Sequence, residues 1–248
     1  MLTIGFVNLI KALINKFVDI RSDDELKGLL LATAYGFFIM SSYYILRAVR
    51  DEISSADRGN LQILWTAVFF VMLLAVPAYS WLASRFSRGV FVPLANRFFI
   101  TCLLIFWACL MFMPLEARVW IDRVFYVWTS VFALFVVTVF WGFLSDCFDN
   151  GQAKRMFSFI AVGSSLGGMA GSATTAVLAE VLPAFSLLLL ACIPLEVGSW
   201  CARGLHRRFN TGSVVIAGES ERVIKGNAFS GMKAVFASRY LTAVSYTH

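Results

Sequence analysis

The densest group of side chains able to do chemistry lies at positions 41–52, which read SSYYILRAVRDE. On a continuous helix, Tyr43, Arg47 and Arg50 share one face, and Arg47 and Asp51 are spaced to pair. Two guanidiniums beside a tyrosine form a clamp for phosphate or carboxylate, because the planar guanidinium donates parallel hydrogen bonds to either group. The alternative, given equal weight, is an anchor in which the arginines reach to lipid headgroups.

Two further charges lie inside apolar stretches. Arg97 lies about 12 Å into the third of these stretches, at 1.5 Å per helical residue. Glu196 lies in the last third of the sixth. A charge at membrane depth is costly, so each position is a candidate functional site. An ion pair or a side chain that reaches to the interface is the simpler interpretation, since both residues lie nearer the N-terminal side of the membrane than its midplane.

The segment Gly163–Gly171 reads GSSLGGMAG and resembles a phosphate-binding loop only superficially. It follows no strand and lacks the lysine of a Walker loop. Within an apolar helix, Gly163, Gly167 and Gly171 instead give small-xxx-small spacing, which lets a neighbouring helix approach closely. We therefore expect close helix packing there, with a role in gating as an additional hypothesis. The sequence contains no HExxH or Walker motif, so no enzymatic activity is predicted.

The elements that must position these residues are membrane-spanning helices. Hydrophobic residues make up 59% of the 248 positions and charged residues 15%, against about half and a quarter in soluble domains. A helix needs about 18 apolar residues to cross a bilayer, and six stretches of the sequence reach or approach this length. They are Leu29–Leu46, Leu61–Leu82, Val90–Met113, Val124–Leu144, Met156–Leu182 and Ala184–Cys201. The predicted fold class is thus an all-α integral membrane protein with a six-transmembrane-helix bundle, and the lipid bilayer is its first partner.

The distribution of basic residues predicts the orientation. Of the 21 Lys and Arg residues, 15 fall on the N-terminal side of the six spans, 5 fall on the opposite side, and Arg97 lies within a span. The positive-inside rule then places the N-terminus in the cytoplasm. The same distribution argues against nucleic acid as a partner despite the net charge of +6, because the basic residues form no continuous stripe. The five Cys form no CxxC pair, so neither a metal nor another cofactor is expected.

Three regions follow from these patterns. Residues 1–28 form a cytoplasmic N-terminal segment in which Leu2–Ile20 is predicted to be an amphipathic interfacial helix. Residues 29–202 form the six-helix bundle. Residues 203–248 are predicted to be a cytoplasmic linker and the start of a missing second half, since apolar character returns at Tyr240–His248. A second six-helix half of the same polypeptide is therefore an expected partner.

Two groups of residues resemble a known family. Tyr44–Arg47 followed by Arg50–Asp51 is similar to the "LR-x-x-K-D" signature of the ATP/ADP translocase family, nucleotide exchangers related to the major facilitator superfamily. The resemblance continues through the groups Phe125–Val127, Phe140–Phe143 and Ala153–Arg155 and the glycine-rich fifth span. It covers most of Leu29–Gly171. It implies the N-terminal half of a 12-helix transporter in a bacterial inner (plasma) membrane, with nucleotide antiport as one activity.

The chain departs from this family at two positions. Arg50 stands where the signature has lysine, and Val124–Leu144 lacks the family's acidic residue, with Ser130 near the expected place. The loop Trp81–Arg88 is similar to a degenerate major facilitator loop in which Ser84 replaces the acid. There, Arg85 and Arg88 are predicted to pair with Asp146 as a cytoplasmic latch, or else to serve only topology.

These features predict a secondary transporter that moves a small anionic metabolite by alternating access. Tyr43, Arg47, Arg50, Asp51 and Arg97 are its candidate substrate-binding residues. Two other classes remain open: a polytopic membrane enzyme, which needs a recognisable cluster at one membrane face, and a non-transporting scaffold or sensor domain.

Overall fold

The computed structural model describes residues 18, 20, 22–83, 85 and 88–212. All regular structure in these residues is helical. The helices are α1 (Asp23–Ala56), a short 3-10 turn (Arg58–Asn60), α2 (Leu61–Ala83), α3 (Arg88–Phe112), α4 (Leu115–Cys147), α5 (Asn150–Leu178) and α6 (Ala184–Gly212). The predicted amphipathic helix Leu2–Ile20 lies outside the described residues except at Val18 and Ile20, which are buried. Residues 213–248 of the predicted linker also lie outside them.

Six of the described helices are long and apolar enough to cross a membrane. Along α2, Leu64 is the buried residue, whereas Phe69, Leu73 and Leu74 expose 62%, 61% and 74% of their surface. A water-soluble protein rarely exposes contiguous apolar surface of this extent, because its hydration is unfavourable. The chain is therefore a polytopic membrane protein, as its composition predicts.

Polar residues cap two of the helices that start at the N-terminal side of the membrane, α1 and α5. The Ser22 hydroxyl accepts a hydrogen bond from the backbone N–H of Glu25 at 3.1 Å, at the start of α1. At the start of α5, Asp149 and Gln152 form a reciprocal capping box. These bonds satisfy N–H groups that the helices leave unpaired. Proline residues lie inside α2, α3 and α6, which is common in membrane helices because neighbouring groups satisfy the freed carbonyls.

Helix α1 is the centre of the bundle and packs against α4, α5 and α6. Its buried Tyr35 lies against Phe140 and Phe143 of α4, with ring centroids 5.2 and 6.0 Å apart. The Ser42 hydroxyl donates to the carbonyl oxygen of Ala191 on α6 at 2.8 Å. Around this centre, α3 packs against α4 and α6, and α2 packs against α4.

The glycines of α5 form the closest helix contact. A Cβ added at Gly163 would meet the Thr33 side chain, one at Gly167 would overlap the Phe37 backbone, and one at Gly171 would lie 2.9 Å from the Cα of Ser41. The three contact residues on α1 are themselves four residues apart, so the two helices run side by side along this seam. The close packing predicted from small-xxx-small spacing is confirmed.

Candidate functional site

The C-terminal part of α1 brings two arginines onto one carboxylate. The helix continues to Ala56, ten residues beyond the predicted span. Arg50 Nη2 lies 3.0 Å from Asp51 Oδ1, and Arg47 Nε lies 3.7 Å from Asp51 Oδ2. The predicted pairing of Arg47 with Asp51 is therefore confirmed, and Arg50 shares the same partner. The Asp51 side chain is 54% exposed, so an external anion has access to the group.

The tyrosines beside these arginines differ from the prediction. The Arg47 guanidinium carbon lies 5.6 Å from the centroid of the Tyr44 ring, and that of Arg50 lies 5.7 Å from the Tyr126 ring of α4. Tyr43 packs against the core and meets the Tyr44 ring edge-on at 5.2 Å. Long side chains in a helix point back over the residues three or four positions earlier, and Tyr44 is the residue that Arg47 covers. Each guanidinium is thus held by a cation–π contact.

Tyr126 is itself fixed by a contact that the sequence did not reveal. The indole Nε1–H of Trp65 on α2 donates to the Tyr126 hydroxyl at 3.1 Å. Helices α1, α2 and α4 therefore meet around Arg50. The only signal available for Tyr126 was its place in the segment Phe125–Val127, which carried the family resemblance.

A second ion pair lies at the same end of the bundle, between the α1–α2 turn and α4. Arg123 Nε lies 2.8 Å from Asp57 Oδ2, and Asn60 Nδ2 donates to Asp57 Oδ1 at 2.7 Å. Hydrogen bonds from Arg123 and Asn60 hold the pKa of the Asp57 carboxyl below its ordinary value. The Arg123 guanidinium lies 4.9 Å from the centroid of the Trp120 ring. In the sequence, Asp57 was one of several scattered acids without recognisable spacing.

A cavity of about 450 Å³ opens beside this ion pair, between the ends of α1, α3, α4 and α6. Its charged lining residues are Glu52, Asp57, Arg118, Asp122 and Arg123. Among the described residues, its lining includes neither Arg47 nor Arg50. The arginine pair and the cavity therefore occupy neighbouring positions on α1 rather than a single enclosed pocket.

The two charges within apolar stretches meet each other. Arg97 Nη2 of α3 lies 3.7 Å from Glu196 Oε1 of α6, and Arg203 Nη2 lies 3.1 Å from the same oxygen. The Trp200 indole N–H also donates to it, at 2.8 Å. The sequence allowed Arg97 and Glu196 to be either functional sites or members of an ion pair, and the structure shows the ion pair.

Arg97 lies far from the α1 arginines along the membrane normal. The distance along the helix axis from Arg88, the first residue of α3, to Arg97 is about 14 Å. The corresponding distance from the first residue of α1 to Arg47 is about 36 Å. Both helices start at the same membrane face. The structure therefore does not bring Arg97 into one cluster with Arg47 and Arg50, although all were predicted to bind substrate.

The residues of the predicted latch lie at the N-terminal side of the membrane. The Arg85 guanidinium lies 4.4 Å from the centroid of the Trp81 ring, Arg88 is the first residue of α3, and Asp146 is exposed near the end of α4. These residues share one end of the bundle, and the latch stays a prediction. So does motion along the Gly163, Gly167 and Gly171 seam.

A different contact joins two helices at that end. Arg155 Nη2 and Gln152 Nε2 each lie 3.2 Å from Glu25 Oε1, which ties the start of α5 to the start of α1. Both charged side chains are largely buried, at 21% and 13% exposure. Arg155 belonged to the segment that carried the family resemblance, but its partner on α1 was not foreseen.

Comparison with known proteins gives no relative: no family model, curated protein or solved structure matches the chain.

Proposed function

We propose that the protein is a secondary transporter for a small anionic metabolite and that Arg47 and Arg50 bind the anion. The main observation in support is that two guanidiniums share the exposed carboxylate of Asp51. The group keeps a surplus of one positive charge. A substrate phosphate or carboxylate offers the same acceptor oxygens as Asp51, so it exchanges with that side chain at little cost in desolvation.

The surroundings of the two arginines support a binding role. The Tyr44 and Tyr126 rings hold the guanidiniums, and the Trp65 hydrogen bond holds Tyr126. Such contacts restrict the arginine side chains before an anion arrives, which lowers the entropy lost on binding. An arginine that serves only as a headgroup anchor needs no such support from three helices.

The helix packing supports a transporter fold. Six pairs of helices make the principal contacts, and they are related by exchanging α1 with α4, α2 with α5 and α3 with α6. Under this exchange the α1–α5 contact becomes the α2–α4 contact, and the α1–α6 contact becomes the α3–α4 contact. The α3–α6 and α1–α4 contacts each become themselves. Two three-helix units of opposite orientation produce that relation, and inverted repeats of this kind are common in secondary transporters.

The substrate class follows from the arginines. Guanidinium pairs favour phosphate and carboxylate, so nucleotides, inorganic phosphate and dicarboxylates are the candidates. The resemblance to ATP/ADP translocases favours nucleotides. Arg50 at the signature's lysine position and the absence of an acid in Val124–Leu144 widen the choice to other anions. We place the protein in a bacterial inner membrane and take exchange of one anion for another as the coupling mode.

Reconstituted full-length protein provides the test. Vesicles preloaded with unlabelled ATP, phosphate or malate are assayed for uptake of the labelled forms of all three, with glucose as a neutral control. We expect saturable uptake of at least one anion, stimulated by the anion inside, and no uptake of glucose. Arg47→Gln and Arg50→Gln are each expected to reduce kcat/KM at least tenfold.

Arg58→Gln is the matched control, because Arg58 is exposed at the same membrane end on the 3-10 turn. Its uptake is expected to equal that of the unaltered protein. The proposal fails if none of the three anions is taken up, or if the three substitutions have equal effects.

A further inference from the structure

The outer surface of α3 and α6 carries a charged group that the proposed function does not use. Three side chains converge on the single oxygen Oε1 of Glu196: Trp200 and Arg203 donate hydrogen bonds to it, and Arg97 forms an ion pair with it. The two guanidiniums are therefore held close together on either side of one carboxylate. The group has two positive charges and one negative charge, so it carries a surplus of one positive charge.

This charged group is open to the surroundings of the bundle. The Arg97 side chain is 60% exposed, and those of Arg203 and Glu196 are 32% and 31% exposed. The residues beside it are apolar and exposed as well: Leu94 and Phe98 on α3 and Ile193 on α6 expose 54%, 61% and 62%. A surface of this composition faces hydrocarbon, where an uncompensated charge is unfavourable.

The position along the helices brings the group close to the membrane interface. Glu196, Trp200 and Arg203 occupy successive turns on one face of α6, and the exposed Arg207 and Arg208 follow on the next turn. Arg203 therefore lies near the level of the headgroups, where Trp side chains such as Trp200 are enriched. Arg97 approaches from the hydrocarbon side and reaches towards the same level.

We propose that Arg97 and Arg203 bind the phosphate of an anionic phospholipid, whose acyl chains lie on the apolar surface of α3 and α6. The phosphate supplies the negative charge that balances the group. The guanidiniums donate hydrogen bonds to its oxygens, as Arg203 does to Glu196 at 3.1 Å. Glu196 holds the two arginines in position, and Leu94, Phe98 and Ile193 contact the chains. A zwitterionic lipid adds a positive choline group and leaves the surplus charge unbalanced.

Native mass spectrometry of the purified full-length protein tests this site. The protein is exposed to equal amounts of phosphatidylglycerol and phosphatidylcholine, and bound lipid is counted. We expect at least a fivefold preference for phosphatidylglycerol. The double variant Arg97→Gln/Arg203→Gln is expected to lose that preference. The control Arg58→Gln/Arg118→Gln, which removes two arginines near the opposite membrane end, is expected to keep it.

Two further measurements keep the site testable if the double variant fails to fold. Glu196→Gln keeps an acceptor oxygen that holds Arg203 and Trp200 while it raises the surplus charge, so it is expected to increase phosphatidylglycerol retention at least twofold. Glycerol phosphate, which has the phosphate but no acyl chains, is expected not to displace the lipid at equal concentration. Any one of four results would overturn the proposal. They are equal binding of the two lipids, an unchanged lipid preference in the folded double variant, reduced phosphatidylglycerol retention in Glu196→Gln, and displacement of the lipid by glycerol phosphate.

Discussion

Several charged side chains among the described residues are arranged around carboxylates that have more than one polar partner. Each of four acids has at least two such partners, by ion pair or hydrogen bond, and in every case one of them is an arginine. The four are Glu25, Asp51, Asp57 and Glu196. Near or within a bilayer, a single unpaired charge is costly, so sharing one acceptor keeps several donors satisfied. Only the groups at Asp51 and Glu196 hold two arginines and retain a positive surplus.

Asp57 gives a prediction about pH, since it lies outside the membrane-spanning segments. Its pKa is lowered by Arg123 and Asn60, so the folded state favours the carboxylate. The stabilisation is fully present above the ordinary aspartate pKa of about 3.9 and is lost as pH falls below it. In detergent, Asp57→Asn is therefore expected to lower Tm by a constant amount between pH 8 and 5, and by less near pH 3.5.

The control for this measurement is Glu116→Gln, which removes an exposed carboxylate at the start of α4. Its Tm is expected to follow that of the unaltered protein at every pH. A Tm difference for Asp57→Asn that grows on acidification would show that the ion pair with Arg123 is not stabilising.

Residue contacts within one helix were predictable, and those between helices were not. The spacing of Arg47 and Asp51 determines their pairing because four residues make about one turn. The contacts of Arg50 with Tyr126, Trp65 with Tyr126, and Arg123 with Asp57 depend on how α2 and α4 are placed around α1. Hydropathy does not predict how the helices are placed around α1, because every span is apolar on most of its sides.

At the scale of elements, the seam between α1 and α5 is the tightest contact of the bundle. The glycines of α5 allow the α1 backbone to approach so closely that a methyl group does not fit at Gly167. Membrane helices gain little from apolar burial relative to lipid, so close van der Waals packing of this kind supplies much of their association. The seam thus fixes the central helix, which carries Arg47 and Arg50.

Substituting one glycine in the seam tests this contact. Gly167→Ala places a methyl group against the Phe37 backbone, which cannot move without shifting α1, and is expected to cost about 1–3 kcal/mol as overpacking. Gly204→Ala on α6 is the matched control, because its methyl group meets only the Leu31 side chain at 3.7 Å. Helix propensity predicts that this control gains up to about 1 kcal/mol.

Thermal unfolding of the two variants in detergent measures the difference. The expected order of Tm is Gly204→Ala at or above the unaltered protein, with Gly167→Ala clearly below both. Equal Tm values for the two variants would mean that α1 and α5 do not make this contact.

Each predicted span overlaps one helix, but the helices are longer than the spans, and α5 ends at Leu178, four residues before the predicted end of the fifth span. Helix α4 begins nine residues before the predicted span, at Leu115, and α6 continues eleven residues beyond it, to Gly212. Hydropathy detects only the part of a helix that lies in hydrocarbon. Arg123 and Arg203 sit on the helical extensions instead of in loops. Arg123 pairs there with Asp57 of the α1–α2 turn, and Arg203 pairs with Glu196 of its own helix.

At the scale of the whole molecule, the orientation remains a prediction from the distribution of basic residues. In a variant without native cysteines, Gly59→Cys in the connection between α1 and α2 is expected to react with a membrane-impermeant maleimide added to intact cells. Asn150→Cys at the start of α5 is expected to react only after the membrane is opened. Both positions are exposed. The reverse pattern would place the N-terminus outside.

The central claim is that Arg47 and Arg50 bind an anionic substrate in competition with Asp51. Removing the competing carboxylate frees both guanidiniums, and an exposed ion pair is worth up to about 1 kcal/mol, so Asp51→Asn is expected to lower the KM for anion uptake about two- to fivefold. The control Glu116→Gln, also near this membrane end, is expected to leave KM unchanged. The measurement is the initial rate of uptake into vesicles as a function of anion concentration. A KM for Asp51→Asn that is unchanged or raised would contradict the claim.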